Sequence, residues 1–305
     1  MGISAADVKR LREQTGAGMM DCKKALSEND NDFEKAVDFL RKKGLAAAAK
    51  KQSRVAAEGL VSSFVNSGLG VMVEVNCETD FVAKNDDFKD FTASISKHIS
   101  AAKPSTIEEL MESKLESGQT VEEQVNELTL KIGEKIAVRR FTTVATQGAG
   151  TVGSYIHGGK IGVLLNISTD KTDESNSDFA EYVKDVCMHV AASDVKFISA
   201  DEIDESFKKR EADIYTAQLQ DQGKPAEMIP KIVQGKLNKL ATEVCLNEQK
   251  FVKNPDVSIK QLTKEISEKI GDKITISGFL KYTLGEGIEK RQDNLAEEVA
   301  KMTQS

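Results

Sequence analysis

The chain has 305 residues, 39% of them hydrophobic and 30% charged, with a formal net charge of -7 and an isoelectric point near 5.3. That length suits about two domains, and an acidic balance works against nonspecific nucleic-acid binding, which needs clustered Lys and Arg. Cys22, Cys77, Cys187 and Cys245 form no C-x-x-C pair and no zinc spacing, so they read as reduced, mostly buried thiols of a cytoplasmic protein; no apolar run approaches the ~18 residues of a membrane span, and no basic-then-apolar secretory signal opens the chain.

Residues 1–55 read as a helical module with a linker. Ser4 with Asp7 approximates a capping box, and Val8 and Leu11 begin an apolar stripe. Gly16 and Gly18 precede a second helix holding Met19, Met20, Cys22 and Leu26. Adjacent helical positions point ~100° apart, so one methionine is expected in the core and the other on a partner-facing surface, flanked by Arg12 and Lys23. Asp32 caps a third helix in which Phe33, Ala36, Val37 and Leu40 fall at i, i+3, i+4 and i+7, and Gly44 is expected to end it. The Ala- and Lys-rich run from Ala46 to Val55 reads as a helical linker. The short basic runs Arg41-Lys42-Lys43 and Lys50-Lys51 fit a solvated helix face better than a phosphate site.

The next region repeats itself, as 56–146 and as 147–206 with 249–285. Ser63-Phe64-Val65 followed by Gly70 to Val75 parallels Ser154-Tyr155-Ile156 followed by Gly162 to Ile167, each a hairpin of alternating strands. A helix follows: Asp87, Phe88, Phe91, Ile95, His98 and Ile99 match Asp178, Phe179, Tyr182, Val186, His189 and Val190 at an offset of roughly 91. A third strand is expected over Ile132-Gly133-Glu134-Lys135-Ile136 with Val138, matching Ile270 to Ile274 with Ile276 at roughly 138. The difference between the offsets, about 47 residues, is an insertion in the second copy. It falls at 207–248, is charged, and is interrupted by Gly223-Lys224-Pro225, so it reads as an antiparallel helical hairpin. Residues 286–305 read as a C-terminal helical module carrying Ile288, Leu295, Val299 and Met302. The fold class is therefore α+β: helical N-terminal module, two repeated antiparallel α+β core subdomains, inserted helical hairpin and C-terminal helix.

The segment Glu74 to Lys84 (EVNCETDFVAK) joins strand to helix in the first copy. Thr79 is a good helix N-cap and Asp80 suits a first turn. Two readings of the corner stand: Phe81 projects beside a carboxylate as a wedge against another protein, or it folds back into its own core.

Little else suggests chemistry. Gly148-Ala149-Gly150-Thr151-Val152-Gly153 spells G-x-G-x-x-G, but the following residues alternate into a hairpin where a dinucleotide site needs a helix. No P-loop is present. His98 reads as a partly buried helix residue and His157 as an exposed turn residue; His189 stands between structural and partner-contact readings. No nucleophile and base converge by spacing, so no catalytic residue, metal site or cofactor is expected.

The corner segment, together with Leu11 to Leu26 (LREQTGAGMMDCKKAL), Met188 to Ser193 (MHVAAS) and Gly285 to Lys290 (GEGIEK), resembles the elongation factor Ts family over essentially the whole chain. The resemblance implies a ubiquitin-associated-like N-terminal fold, a coiled-coil insertion, and a guanine nucleotide exchange factor of translation elongation that is not itself an enzyme. It implies elongation factor Tu as partner, GDP-bound and nucleotide-free, without direct nucleic-acid or membrane binding. Thr79, Asp80, Phe81 and Val82 would be the wedge near the partner's magnesium and phosphates, with Arg12, Met19, Met20, Lys23 and His189 as further contacts. The rival reading is a scaffold that binds ubiquitin-like or other partners through the N-terminal helices.

Overall fold

The computed structural model describes residues 3–66, 68–146, 149–170 and 175–289. Three helices open the chain: α1 (Ala5–Thr15), α2 (Met19–Glu28) and α3 (Phe33–Lys51). The Ser4 hydroxyl oxygen accepts the Asp7 N–H, and the Asp32 carboxylate accepts that of Lys35. Leu11, Cys22, Ala25, Leu26 and Ala36 are wholly buried in their small core. Contrary to expectation, α3 runs through Gly44. A Cβ there would lie 3.5 Å from the Asn126 carbonyl oxygen, an ordinary contact, so Gly44 is an interior helical residue facing Asn126 rather than a stop.

The first copy continues with β1 (Glu58–Asn66), β2 (Leu69–Cys77), the single turn α4 (Asp80–Ala83), α5 (Asp86–Ala102), α6 (Ile107–Glu112), α7 (Val121–Ile132) and β3 (Ala137–Ala145). The second copy has β4 (Gly150–His157), β5 (Ile161–Ser168), α8 (Ser177–Ala192), the hairpin helices α9 (Glu205–Asp221) and α10 (Ile229–Val244), β6 (Lys250–Phe251), β7 (Asn254–Ser258), α11 (Ile259–Ile270) and β8 (Thr275–Thr283). Helix and sheet are mixed, an α+β arrangement. The sheets are ordered β1-β2-β3 and β4-β5-β8, with β6 and β7 paired separately. Antiparallel pairing of β4 with β5 runs from Gly150 opposite Ser168 to His157 opposite Ile161.

By contacts the chain divides into two compact units, one built from the described parts of 1–62, 73–141 and 283–305, the other from 63–72 and 142–282. In the first, Phe88, Ile95 and Ile99 of α5 and Leu110 are fully buried. In the second, Val163, Leu165 and Ile167 of β5 pack with Phe179, Val186 and Val190 of α8, Leu246 and Ile259. The α9–α10 hairpin buries Leu219, Ile229 and Val233 toward its tip and Ile203, Leu240, Val244 and Cys245 at its base.

The repeat is visible in backbone detail. Gly59 and Gly150 have φ of +138° and +136°, and a Cβ at either would strike the carbonyl oxygen of the neighbouring strand, Val75 in one copy and Ile167 in the other. Helices α5 and α8 are capped by Asn85 and Asn176, and α7 and α11 by Thr120 and Ser258. The strand expected over Ile132 to Ile136 is corrected. Ile132 ends α7, Gly133 is its left-handed cap (φ +86°), and the strand opens at Ala137. Ile270, Gly271 and Thr275 repeat that order. The apolar positions Val121, Val125 and Leu128 at i, i+4 and i+7 explain why this is helix. The expected C-terminal helix lies outside the described residues beyond 289.

One polar centre is built on β2 of the first copy and completed by Gly285. The Glu74 carboxylate is 0% exposed and accepts from Arg139 Nη1 (2.9 Å), Arg140 Nε (2.7 Å), Asn76 Nδ2 (3.1 Å) and the Gly285 N–H (2.9 Å). Burial by itself would raise its pKa; the Gly285 N–H, both guanidinium groups and the Asn76 amide outweigh that and leave it below the ordinary carboxylate value.

Candidate functional site

The corner after β2 is built from its caps. Thr79 leaves the strand in extended conformation, and its hydroxyl oxygen accepts the Val82 N–H at 3.4 Å. After one turn Lys84 closes α4, and Asn85 caps α5 by accepting the Phe88 N–H. Val82 and Ala83 face inward at 8% exposure, whereas Phe81 is 80% exposed. Of the two sequence readings, the structure has the projecting ring. Asp80 pairs with Lys84 at 2.7 Å, and the same ammonium lies 5.9 Å from the Phe81 ring centroid.

The base of the corner is fastened to the turn after α7 by an exchange of carboxylates. Glu134 accepts the Thr79 N–H at 2.9 Å on one oxygen and the Thr79 hydroxyl at 2.7 Å on the other. In return Glu78 accepts the Lys135 N–H at 2.6 Å and lies 3.2 Å from Arg54. The Lys135 ammonium donates to the carbonyls of Gln52 and Arg54. Below the corner Cys77 donates its thiol to the Thr79 carbonyl; burial, seconded by Glu134, pushes its pKa up to about 12, so it stays protonated.

The expected partner contacts fall out differently. Arg12 and Lys23 are exposed on α1 and α2. Met19 and Met20 are 57% and 73% exposed, which corrects the expected split between core and surface. Both sit in the first turn of α2, whose buried face is Cys22, Ala25 and Leu26. His189 is 1% exposed, so the expectation of a direct partner contact is corrected as well. Its Nδ1 accepts the Val252 N–H (3.3 Å), leaving the neutral ring's proton on Nε2 toward Gln249 Oε1 (2.8 Å). Burial holds its pKa below the usual value, with the Gln249 bond acting against that. His98, at the matching place, is half-buried and bonds Ser113 Oγ at 2.7 Å.

Gly150 and Gly153 of the G-x-G-x-x-G run lie in β4, and a Cβ on Gly153 would strike Val183 of α8; Gly148 lies outside the described residues. No three His, Cys, Asp or Glu side chains among the described residues are grouped to hold a metal, and no described helix is long and apolar enough to cross a membrane. Sequence reading missed Glu134, Glu78 and Arg54 as the fastening of the corner. The signal was the matched pair Gly133-Glu134 and Gly271-Asp272, whose carboxylates sit at equal distance past a helix end.

Comparison with known proteins agrees over nearly the full length. The family model "Elongation factor TS" matches residues 78–286. "Elongation factor Ts" of Clostridium perfringens (strain SM101 / Type A) is 48% identical over 303 residues, covering 98% of this chain and 99% of that one. "Elongation factor Ts" of Trichlorobacter lovleyi is 46% identical over 306 residues, covering 98% of each. With a family model across most of the chain and relatives of that identity end to end, this chain belongs to the elongation factor Ts family of translation elongation factors.

Proposed function

We propose that this chain accelerates GDP release from elongation factor Tu, with Thr79, Asp80, Phe81 and Val82 as the wedge that disturbs the partner's magnesium and phosphate site. The observation that carries this reading is the 80% exposed Phe81 ring on a one-turn helix fastened at its base. Single exposed apolar side chains are common; this one is distinguished by its mounting. Thr79 and Val82 hold the turn, and Phe81 and Asp80 are presented. Magnesium needs near-ideal octahedral geometry, so a small displacement of its ligands weakens it. Asp80 adds negative charge beside phosphates, and its exposed i,i+4 pair with Lys84 is worth only about 0.3–0.5 kcal/mol, a small cost on docking.

Magnitude assigns the holding to other surfaces. Burying one Phe contributes about 1.5–3 kcal/mol, roughly tenfold to a hundredfold in an equilibrium constant. That is too little both to secure a complex and to loosen a tightly bound nucleotide. The ubiquitin-associated-like N-terminal helices, through Arg12, Met19, Met20 and Lys23, supply part of the grip in this reading. Linkage makes the loosening mutual: nucleotide weakens factor binding by the ratio in which the factor weakens nucleotide, and the GDP-bound and nucleotide-free partners are both engaged. The α9–α10 hairpin is an accessory coiled coil. The chain acts in the cytoplasm and contributes no covalent chemistry or cofactor.

The test is stopped-flow release of fluorescent GDP from elongation factor Tu, titrated with this chain. Asp80→Ala with Phe81→Ala lowers the maximal release rate roughly tenfold to a hundredfold while the half-saturating concentration changes far less. Because Phe81 is exposed, its own replacement by Ala shifts stability by no more than about 0.5 kcal/mol. An unchanged maximal rate overturns the wedge.

A further inference from the structure

We propose that Glu134 is a positioning residue for nucleotide release: it fixes the angle at which the first-copy corner presents Phe81. This rests on the wedge reading above and extends it to a residue that acts on the corner from behind, through Thr79.

Helix α4 has four residues, too few to hold a direction by its own hydrogen bonds. Its orientation must come from its ends. The C-terminal end runs into the Asn85 cap of α5, and the N-terminal end is Thr79. Glu134 accepts both of Thr79's donors, backbone and hydroxyl, one on each carboxylate oxygen. Two bonds to one planar group fix direction as well as distance, and hydrogen bonds to an ionised acceptor are the stronger kind. Glu134 itself follows the left-handed cap of α7, a helix whose other end carries a full capping box between Thr120 and Glu123. The corner is thereby referenced to a well-capped helix.

The second copy supplies an internal control. Asp272 stands where Glu134 does, just past the Gly271 cap of α11, and accepts the Asp170 N–H at 3.2 Å. The same oxygen also accepts the Lys273 N–H at 2.8 Å. A tie from this carboxylate to the strand exit therefore belongs to the shared scaffold. The hydroxyl bond and the answering Glu78–Lys135 bond are described in the copy that carries the projecting phenylalanine. Because Glu78 and Arg54 remain after Glu134 is neutralised, the corner stays attached while its angle loosens.

Glu134→Gln offers one acceptor oxygen and one N–H₂ where Thr79 brings two donors. In the release assay the maximal rate falls about tenfold, and the half-saturating concentration stays near its original value. Asp272→Asn leaves the maximal rate unchanged. In a Phe81→Ala background Glu134→Gln adds nothing further, since it acts through that ring. Glu134→Asp, which keeps two acceptor oxygens on a shorter stem, gives the same split to a smaller extent and serves if the Gln variant unfolds by circular dichroism. An unchanged maximal rate, an equal loss in Asp272→Asn, or an additive loss on top of Phe81→Ala overturns the proposal. If Phe81→Ala alone leaves release intact, it is the wedge reading that fails; if Phe81→Ala slows release and the Glu134 variants do not, only the positioning role fails.

Discussion

The two copies share a backbone and differ in what stands at the middle of the sheet. In the first, Glu74 lies under Arg139, Arg140 and the Gly285 N–H. In the second, the matching places are Asn166, Ser277 and Gly278; Asn166 donates to the Ala145 carbonyl at 3.3 Å, its Oδ1 is buried without a hydrogen bond, and Ser168 bonds Ser277 at 2.7 Å. The glycines, caps and helix ends are what a strand–strand–helix unit needs to close, and both copies keep them. A buried charge is not needed for closure, since one copy folds around neutral groups. The charge sits on β2 itself, the strand that leads to the corner.

The largest effect tests that contrast directly. Arg139→Ala leaves a fully buried carboxylate short of a partner and destabilises the chain by about 3–5 kcal/mol, read as a shift in the urea unfolding midpoint. Asn166→Ala, at the matching centre of the other copy, costs about 1 kcal/mol or less. Equal costs would break the distinction between a charged and a neutral centre. Next, Gly59→Ala and Gly150→Ala meet the same forbidden backbone and the same carbonyl, and each costs about 1–3 kcal/mol. A large effect at one and none at the other would break the claim of a shared scaffold. The smallest effect is pH-dependent. Burial lowers the pKa of His189 below its ordinary 6.5, so on acidification the unfolded chain takes up the proton first and stability falls below that pH. Protonation would also put a hydrogen on Nδ1 against the Val252 N–H. His189→Gln flattens the acid side of the stability profile more than His98→Gln does, because His98 is only half-buried; the reverse order would overturn the burial argument.

Local chemistry made much of this legible. Ser4, Asp32 and Thr79 announce helix starts because their side chains reach their own backbone. The two offsets located the insertion because caps and glycines recur with the scaffold. Features set by distant neighbours were not legible. Gly44 resembles a helix stop, yet α3 continues through it to Lys51, beside α7. Met19 and Met20 resemble a core-and-surface pair until the first turn of α2 proves to sit above the small core. His189 sits on a helix face whose covering residues, Gln249 and Val252, come about sixty positions later. Of the candidate site, the cap was readable from one segment; the projecting aromatic stood there as one of two readings that only the fold separates, and Glu134 needed the turn after α7 to be brought to Thr79.

The bond from Gly285 to Glu74 joins residues 211 positions apart. A nascent chain emerges from the ribosome amino end first, and segments settle as they appear. The first unit therefore cannot finish early: its arginine-flanked carboxylate lacks a ligand until residue 285 has left the exit tunnel. The other unit, described from 63–72 and 142–282, is complete in sequence before then. The unit that carries the projecting corner therefore reaches its final form only once residue 285 is available, so a polypeptide truncated short of 285 has the corner sequence without the finished support beneath it.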